Sequence, residues 1–354
     1  MLRALDGRPL SFALPGETAH TIGKGGLQAL GSTRPTRAAL RHRYRYRDPA
    51  LEVERFDATF PSPVGIAAGF DKNAEAIHGI AALGFGSVEI GTITPDPQNG
   101  NPRPRLFRLP ADRGLINRVG ISSQGADRVR ERLDANGTPD VPIGLNVGKM
   151  HSSDEAEALA DYRRVVDRLS PYADYVVVNV SCPNTAEEFD QQSPAHLRGI
   201  FETLEAEDDE TTPVLVKVDP DTSEDALREV VDVGEECGLD GIIATNTASE
   251  RPDLASPRRY EWGGLSGKPI EDRSTGVVRT LAEYTDLPII GVGGVDSAIS
   301  AYAKIRAGAS LVQLYTGLVY EGPALSRQIN RGLVTLLERD GFESVEDAVG
   351  ADLE

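Results

Sequence analysis

The sequence predicts an α/β protein, a (β/α)8 TIM barrel with a short N-terminal helical extension. From residue 64 onward, eight short apolar, β-rich runs alternate with longer mixed segments, at 64–70, 87–93, 142–148, 175–181, 214–220, 241–247, 288–294 and 311–317. The runs are near-continuously hydrophobic, as strands buried on both faces of a parallel sheet are. Eight β/α repeats in about 270 residues match a closed barrel. A doubly wound open sheet is the rival, but it carries a G-x-G-x-x-G turn after its first strand, and here that turn reads Ala68-Gly-Phe-Asp-Lys72. The glycine cluster Gly291-Val-Gly-Gly294 comes late, in the seventh run, where barrels commonly hold a phosphate.

Before the barrel, residues 19–30 and 37–46 read as two short helices, broken near 31–35 by Gly31 and Pro35. Amphipathic helices fit between most runs. Over 161–169, for example, Tyr162, Val165, Val166 and Leu169 share one face. Three regions result: an N-terminal helical extension over 1–50, the barrel over 51–340 and an acidic C-terminal tail over 341–354.

Composition narrows the function. With 40% hydrophobic residues and 36 glycines in 354 residues, the chain is globular. It has no run near the roughly 20 apolar residues of a membrane span and no apolar signal core at its N-terminus, so a cytoplasmic location is expected. Cys182 and Cys237 are the only cysteines, which excludes a disulfide framework and any four-cysteine zinc or iron–sulfur site. The five histidines form no ligand pattern, and no metal is expected. The net charge of −18 is uneven: residues 1–47 carry +7 and the rest −25, with only six lysines in all. An acidic, lysine-poor surface stays soluble in brine, which points to a salt-loving host; the plainer reading is an acidic cytosolic enzyme. Such a body repels nucleic-acid phosphates, so no nucleic-acid partner is expected.

In a barrel the C-terminal ends of the strands line the active site. Those ends read Asp71-Lys72, Gly91-Thr92, Asn146, Asn179 with Ser181-Cys182, Lys217, Thr245-Asn246-Thr247, Gly293-Gly294 and Tyr315-Thr316. Carboxamides, hydroxyls and two lysines dominate, and carboxylates are nearly absent. This suits a flat heterocycle rich in C=O and N–H groups that bears negative charge, and it does not suit a two-carboxylate hydrolase. Gly267, Gly294 and the amides of Tyr315-Thr316 suit a phosphate, as backbone N–H groups ahead of a helix do. The stretch from Gly263 to Lys268 is not a P-loop, because its second glycine is misplaced and Pro269 follows.

The same strand ends carry stretches that resemble dihydroorotate dehydrogenases, from about residue 10 to 330. They are Ala67-Ala-Gly-Phe-Asp-Lys-Asn73, Glu89-Ile-Gly-Thr-Ile-Thr-Pro95, Gly100-Asn-Pro-Arg-Pro-Arg-Leu-Phe-Arg108 and Leu115-Ile-Asn-Arg-Val-Gly120. Asn179-Val-Ser-Cys-Pro-Asn-Thr185, Ala244-Thr-Asn-Thr247, Gly263-Gly-Leu-Ser-Gly267 and Ile290-Gly-Val-Gly-Gly294 follow in the family's order. The second and third stretches, with the N-terminal extension, are similar to the quinone-dependent class 2. The resemblance implies oxidation of (S)-dihydroorotate to orotate in de novo pyrimidine (UMP) biosynthesis, with FMN carrying electrons to a membrane quinone, by a monomer peripheral to the inner face of the cell membrane. It assigns FMN to Ala68, Gly69, Phe70, Asp71, Lys72, Thr92, Asn146, Asn179, Lys217, Thr245, Gly267, Gly294, Tyr315 and Thr316. It assigns the pyrimidine to Lys72, Asn117, Arg118, Val119, Gly120, Ile121, Asn179, Asn184, Asn246 and Thr247.

The residue types answer that chemistry. Lys217 at the N1/O2 edge of the flavin stabilises negative charge on the reduced ring, and Lys72 suits the substrate carboxylate. The asparagines each offer a donor and an acceptor to the imide and amide edges of the ring. For Thr92 and Thr247 the alternative is a helix cap or turn hydroxyl. Cys182 follows the fourth run, where a base approaches C5 of the substrate. Class 2 enzymes have Ser there and class 1 enzymes Cys, so a class 2 scaffold carries the class 1 residue. A thiol, with an ordinary pKa of about 8.5, needs less help than a hydroxyl to accept a proton, and Cys182 is expected to be the general base. A small buried cysteine is the alternative.

After Gly120 the family's Phe-Asn-Asn is replaced by Ile121-Ser122-Ser123, which changes one pocket wall. Residues 186–196 are expected to form a lid over the substrate. In the extension, Arg34, Arg37, Arg41, Arg43, Arg45 and Arg47 form the one basic region of an acidic protein, suited to anionic headgroups. Their competing role is to pair with the protein's own acidic body. The nearest rival function is a class 1-like soluble enzyme using fumarate or NAD, which Cys182 alone favours.

Overall fold

In the computed structural model, which describes residues 10–180, 193–204 and 212–353, each of the eight apolar runs contains one strand of a closed parallel barrel. The strands are β1 (Val64–Asp71), β2 (Ser87–Ile93), β3 (Ile143–Val147), β4 (Tyr175–Asn179), β5 (Val214–Val218), β6 (Gly241–Ala244), β7 (Ile289–Val292) and β8 (Leu311–Leu314). They close in chain order, with β8 paired to β1. Valine and isoleucine fill them because both faces are covered, inward by the barrel core and outward by helices.

Two helices precede the barrel, α1 (Gly16–Gly31) and α2 (Arg34–Tyr44). Around it lie α3 (Ile77–Ala82), α4 (Ala126–Asn136), α5 (Glu155–Leu169), α6 (Pro194–Leu204), α7 (Glu224–Glu236), α8 (Glu271–Ala282), α9 (Ala298–Arg306), the short α10 (Thr316–Glu321) and α11 (Leu325–Asp340). Side chains set some of their starts: Asp154 with Glu157 forms a capping box for α5, and Ser223 accepts from Ala226 N at the start of α7. Tyr162, Val165 and Leu169 of α5 are buried, as their spacing predicts.

Phe60 and Tyr175 plug the N-terminal end of the barrel, packed with Phe56 at the turn of the hairpin Val53–Arg55/Ala58–Phe60. Gly144 makes room for this plug, since a Cβ there would lie 2.4 Å from Tyr175 Cζ. At the opposite end, a three-stranded antiparallel sheet of Leu106–Leu109, Gly114–Asn117 and Gly264–Gly267 carries its own small core of Phe107, Leu109, Ile116 and Leu265. Residues 341–353 of the acidic C-terminal tail pack onto the barrel. Val345 and Ala348 are buried, Val345 N donates to Ala50 O at 2.7 Å, and Arg306 pairs with Asp352. Two apolar side chains in the segment outweigh its charge.

The extension is joined closely to the barrel. A Cβ on Gly79 of α3 would lie 2.1 Å from Leu27 O, and one on Gly31 would lie 2.5 Å from Gly79 N, so α1 and α3 touch backbone to backbone. Lys24 pairs with Glu75 and Glu17 with Arg105, the latter at 3.0 Å. Of the six arginines, Arg41 and Arg45 pair with Asp140 at 2.7 and 3.2 Å. Arg34, Arg37, Arg43 and Arg47 have no ion pair among the described residues, so only part of the basic region pairs with the acidic body.

Replacing Gly79 by Ala should pry α1 from the barrel at a cost of about 1–3 kcal/mol. Limited proteolysis should then cleave the arm faster while the thermal transition of the barrel stays nearly unchanged. Cleavage at the wild-type rate would contradict this packing.

Candidate active site

The C-terminal strand ends and the antiparallel sheet enclose a cavity of about 1090 Å³. Lys72 and Lys217 both line it, as do Ala68, Gly69, Thr92, Asn179, Thr245, Asn246 and Thr247 from the strand ends. The sheet supplies Asn117 and Gly267, because Gly264 pairs with Asn117 and Gly267 with Gly114 across it. Val119, Gly120 and Ile121 form one wall, while Gly294, Tyr315 and Thr316 close the end opposite. Glycine is required at that end: a Cβ on Gly294 would lie 2.3 Å from Glu271 Cβ, and Gly267, at φ 93°, would meet Thr316 Cγ2 at 2.6 Å.

Hydrogen bonds fix the order of these groups. Lys72 Nζ donates to Gly120 O at 3.1 Å and ties the end of β1 to the wall formed by 119–121. Asn246 Nδ2 donates to Asn179 Oδ1 at 3.3 Å, Asn179 Nδ2 to Thr92 Oγ1 at 2.8 Å, and Thr92 Oγ1 to Asn146 Oδ1. Thr92 is therefore a link in a side-chain chain and not a cap. Asn146 continues the chain downward, donating to Glu89 Oε1 at 2.9 Å. Lys217 Nζ stands 3.7 Å from the same oxygen.

Several of the expected residues do not line this cavity. Asp71 points away from the cavity, accepting from Glu75 N at 2.9 Å and Ala76 N at 2.6 Å, while burial pushes its carboxyl up. Its role is to hold the turn that presents Lys72. The Phe70 ring faces the extension, and Asn146 lies fully buried beneath the cavity floor. Arg118 turns outward, pairing with Glu261 at 2.7 Å and stacking between Phe107 and Trp262. A cation flanked by two aromatic faces and a carboxylate has no reason to enter the site. Cys182, Asn184 and residues 186–192 of the expected lid lie outside the described residues. Residues 193–196 lead into α6, with His196 buried.

A second cavity of about 1220 Å³ lies between α1, α2 and the barrel, lined chiefly by Leu27, Leu30, Leu40, Phe70 and Val319. Leu106, Leu115 and Tyr315 border both cavities. His20 stacks on Tyr315 at 6.3 Å and meets Phe70 edge-on at 5.2 Å. Burial, with Lys24 and Lys72 nearby, lowers its pKa to about 4. Sequence reasoning missed His20, whose signal is a lone histidine on the apolar face of an otherwise small-residue helix. It also missed Glu89, a carboxylate in the middle of an apolar strand.

The unfolded chain takes up the His20 proton near pH 6.5, and the folded chain only near 4. The stability this site contributes is therefore full above 6.5 and is lost as pH falls toward 4, on the order of 3 kcal/mol. NMR titration of the His20 ring should show no protonation above pH 5; a midpoint of 6 or higher would refute the buried placement.

The sequence profile of the dihydroorotate dehydrogenase family matches residues 50–337. A protein of Natronomonas pharaonis named dihydroorotate dehydrogenase (quinone) is 53% identical over 347 residues, covering 98% of each chain. Its namesake from Halobacterium salinarum is 52% identical over 343 residues, covering 97% of each. Among solved structures, the dihydroorotate dehydrogenase of Eimeria tenella in complex with ferulenol aligns at a TM-score of 0.87 and 35% identity, over 98% of this chain and 99% of that one. The chain belongs to the dihydroorotate dehydrogenase family, in the branch whose members are named for quinone.

Proposed function

We propose that this protein oxidises (S)-dihydroorotate to orotate, with FMN as its bound carrier and a membrane quinone as the final electron acceptor. One observation carries the reading: a polar cavity with two lysines shares the wall of Leu106, Leu115 and Tyr315 with an apolar cavity under the extension. A charged, carboxamide-reading site and a hydrocarbon-lined site back to back suit two substrates of opposite polarity.

The residues present fit FMN. Lys217, Thr92 and Thr245 offer donors to a flat ring, Val292 and Leu314 give it apolar walls, and the end formed by Gly267, Gly294 and Thr316 suits its phosphate. When bound, FMN supplies a two-electron acceptor at N5 for the hydride that leaves C6 of dihydroorotate. Lys72 holds the substrate carboxylate, and Asn117, Asn179, Asn246 and Thr247 fix the ring in register, with Asn184 joining them. Cys182, as a thiolate, takes the C5 proton, so that a C5=C6 double bond forms as hydride and proton depart. His20, neutral at physiological pH, offers the quinone a hydrogen-bonding group in an apolar chamber without placing a buried charge there.

The extension would rest on the membrane. Leu14, Ile22 and Leu30 are exposed on it, with Arg34, Arg37 and Arg47 nearby in sequence, and apolar anchors beside arginines favour an anionic surface. No helix among the described residues is long and apolar enough to cross a membrane. A monomer bound peripherally at the inner face of the cell membrane fits this arrangement.

Dihydroorotate added anaerobically should bleach the flavin, and quinone, not fumarate or NAD, should restore its colour. Recovery by fumarate or NAD alone would favour the soluble reading to which Cys182 points. Cys182→Ala should keep FMN bound but slow its reduction by about 10²–10⁴-fold, and undiminished reduction would remove Cys182 as the base. Deleting residues 1–46 should abolish quinone turnover while dihydroorotate still bleaches the flavin; full quinone activity without the arm would refute the assignment.

A further inference from the structure

We propose that Glu89 is a positioning residue that sets the reduction potential of the bound flavin by partly neutralising Lys217 from inside the barrel. The inference rests on the functional reading above and concerns a residue that touches neither substrate nor cofactor cavity.

Glu89 lies in the middle of β2 and is fully buried. Its two oxygens face different partners. Oε1 stands 3.7 Å from Lys217 Nζ on β5 and accepts from Asn146 Nδ2 on β3 at 2.9 Å. Oε2 accepts from Gln313 Nε2 on β8 at 2.7 Å, and Gln313 Nε2 also reaches Tyr175 Oη on β4 at 3.3 Å. Burial, then the charge of Glu89, push the Tyr175 phenol far up, so the plug side chain stays neutral.

A carboxylate in this position is not needed to satisfy its neighbours. Asn146 needs only an acceptor, which an amide oxygen supplies at no charge, and Gln313, whose Oε1 has no partner among the described residues, can turn over to accept from the amide nitrogen. What a carboxylate adds is a full negative charge beside the one lysine at the cavity floor, and in a low-dielectric interior that charge is felt strongly. When two electrons and one proton enter a flavin ring, one negative charge remains on it. Lys217 favours that charge and Glu89 opposes it. The two neutral donors draw part of the carboxylate's charge toward themselves, so Lys217 is attenuated but not quenched. The expected result is a flavin reducible by substrate that still gives up its electrons to a quinone.

The test uses the flavin-loaded enzyme. In Glu89→Gln the side-chain shape is kept and the charge removed, with the amide oxygen accepting from Asn146 and the amide NH2 donating to Oε1 of a turned-over Gln313. Reduced flavin should then bind at least tenfold more tightly, relative to oxidised flavin, than in wild type, a rise in midpoint potential of about 30 mV for this two-electron couple. Glu89→Gln combined with Gln313→Glu returns one carboxylate across the same hydrogen bond, on the Oε2 side away from Lys217. Its potential should fall between wild type and the single variant, a charge rescue that a purely structural role would not give. Should the single variant fail to fold, the double variant alone must lie above wild type. A single variant that binds flavin at the wild-type potential overturns the proposal, as does a double variant indistinguishable from the single one, or from wild type. A wild-type protein without flavin, or with flavin that dihydroorotate fails to bleach, would instead sink the functional reading.

Discussion

One carboxylate inside an apolar barrel organises the site. Glu89 is reached by side chains from β3, β5 and β8, each of which contributes a buried polar residue to it. A buried acid costs several kcal/mol unless it is paired and hydrogen-bonded, and its partners carry the same cost. Satisfying all of them at once fixes the rotation of these strands about the barrel. From Glu89 the chain continues upward through Asn146, Thr92 and Asn179 to Asn246. The cavity lining is the top of a column of hydrogen bonds that begins in the core. A group held this way loses little order when a ligand arrives, which is the requirement of a preorganised site.

The second constraint is the contact between extension and barrel. Glycines at 31 and 79 let α1 approach α3 to backbone distance, and the pairs Lys24–Glu75 and Glu17–Arg105 fix its direction. That approach creates the apolar chamber and delivers His20 to Tyr315, which borders both cavities. The charge asymmetry of the chain has a structural counterpart: some of the arm's basic groups hold it to an acidic body, and the others face outward.

Much of the site was legible because barrel topology makes strand ends converge. Lys72, Thr92, Asn179, Lys217, Thr245, Asn246, Thr247, Tyr315 and Thr316 were read from the ends of apolar runs, and the closed barrel brings them to one cavity. Phe70, Asp71 and Arg118 do not line that cavity, because neighbours in sequence need not share a direction. Successive residues at a strand end point to opposite sides, so Lys72 enters the cavity while Asp71 turns back to the chain. The four-residue strands of the antiparallel sheet were not foreseen, since segments so short carry no clear periodicity.

The sequence by itself determined the barrel, the positions of its strands, the two helices before it and the family to which the chain belongs. These follow from local pattern, where apolar runs, caps and motifs act over a few residues. Only the tertiary structure decided that Glu89 stands beside Lys217, that His20 reaches Tyr315, that Arg118 leaves the site and that the acidic C-terminal segment packs down. Each of those depends on the direction of a side chain and on a partner distant in the chain. Such pairings are chosen by the balance of burial against unmet charge, and that balance exists only once the barrel has closed.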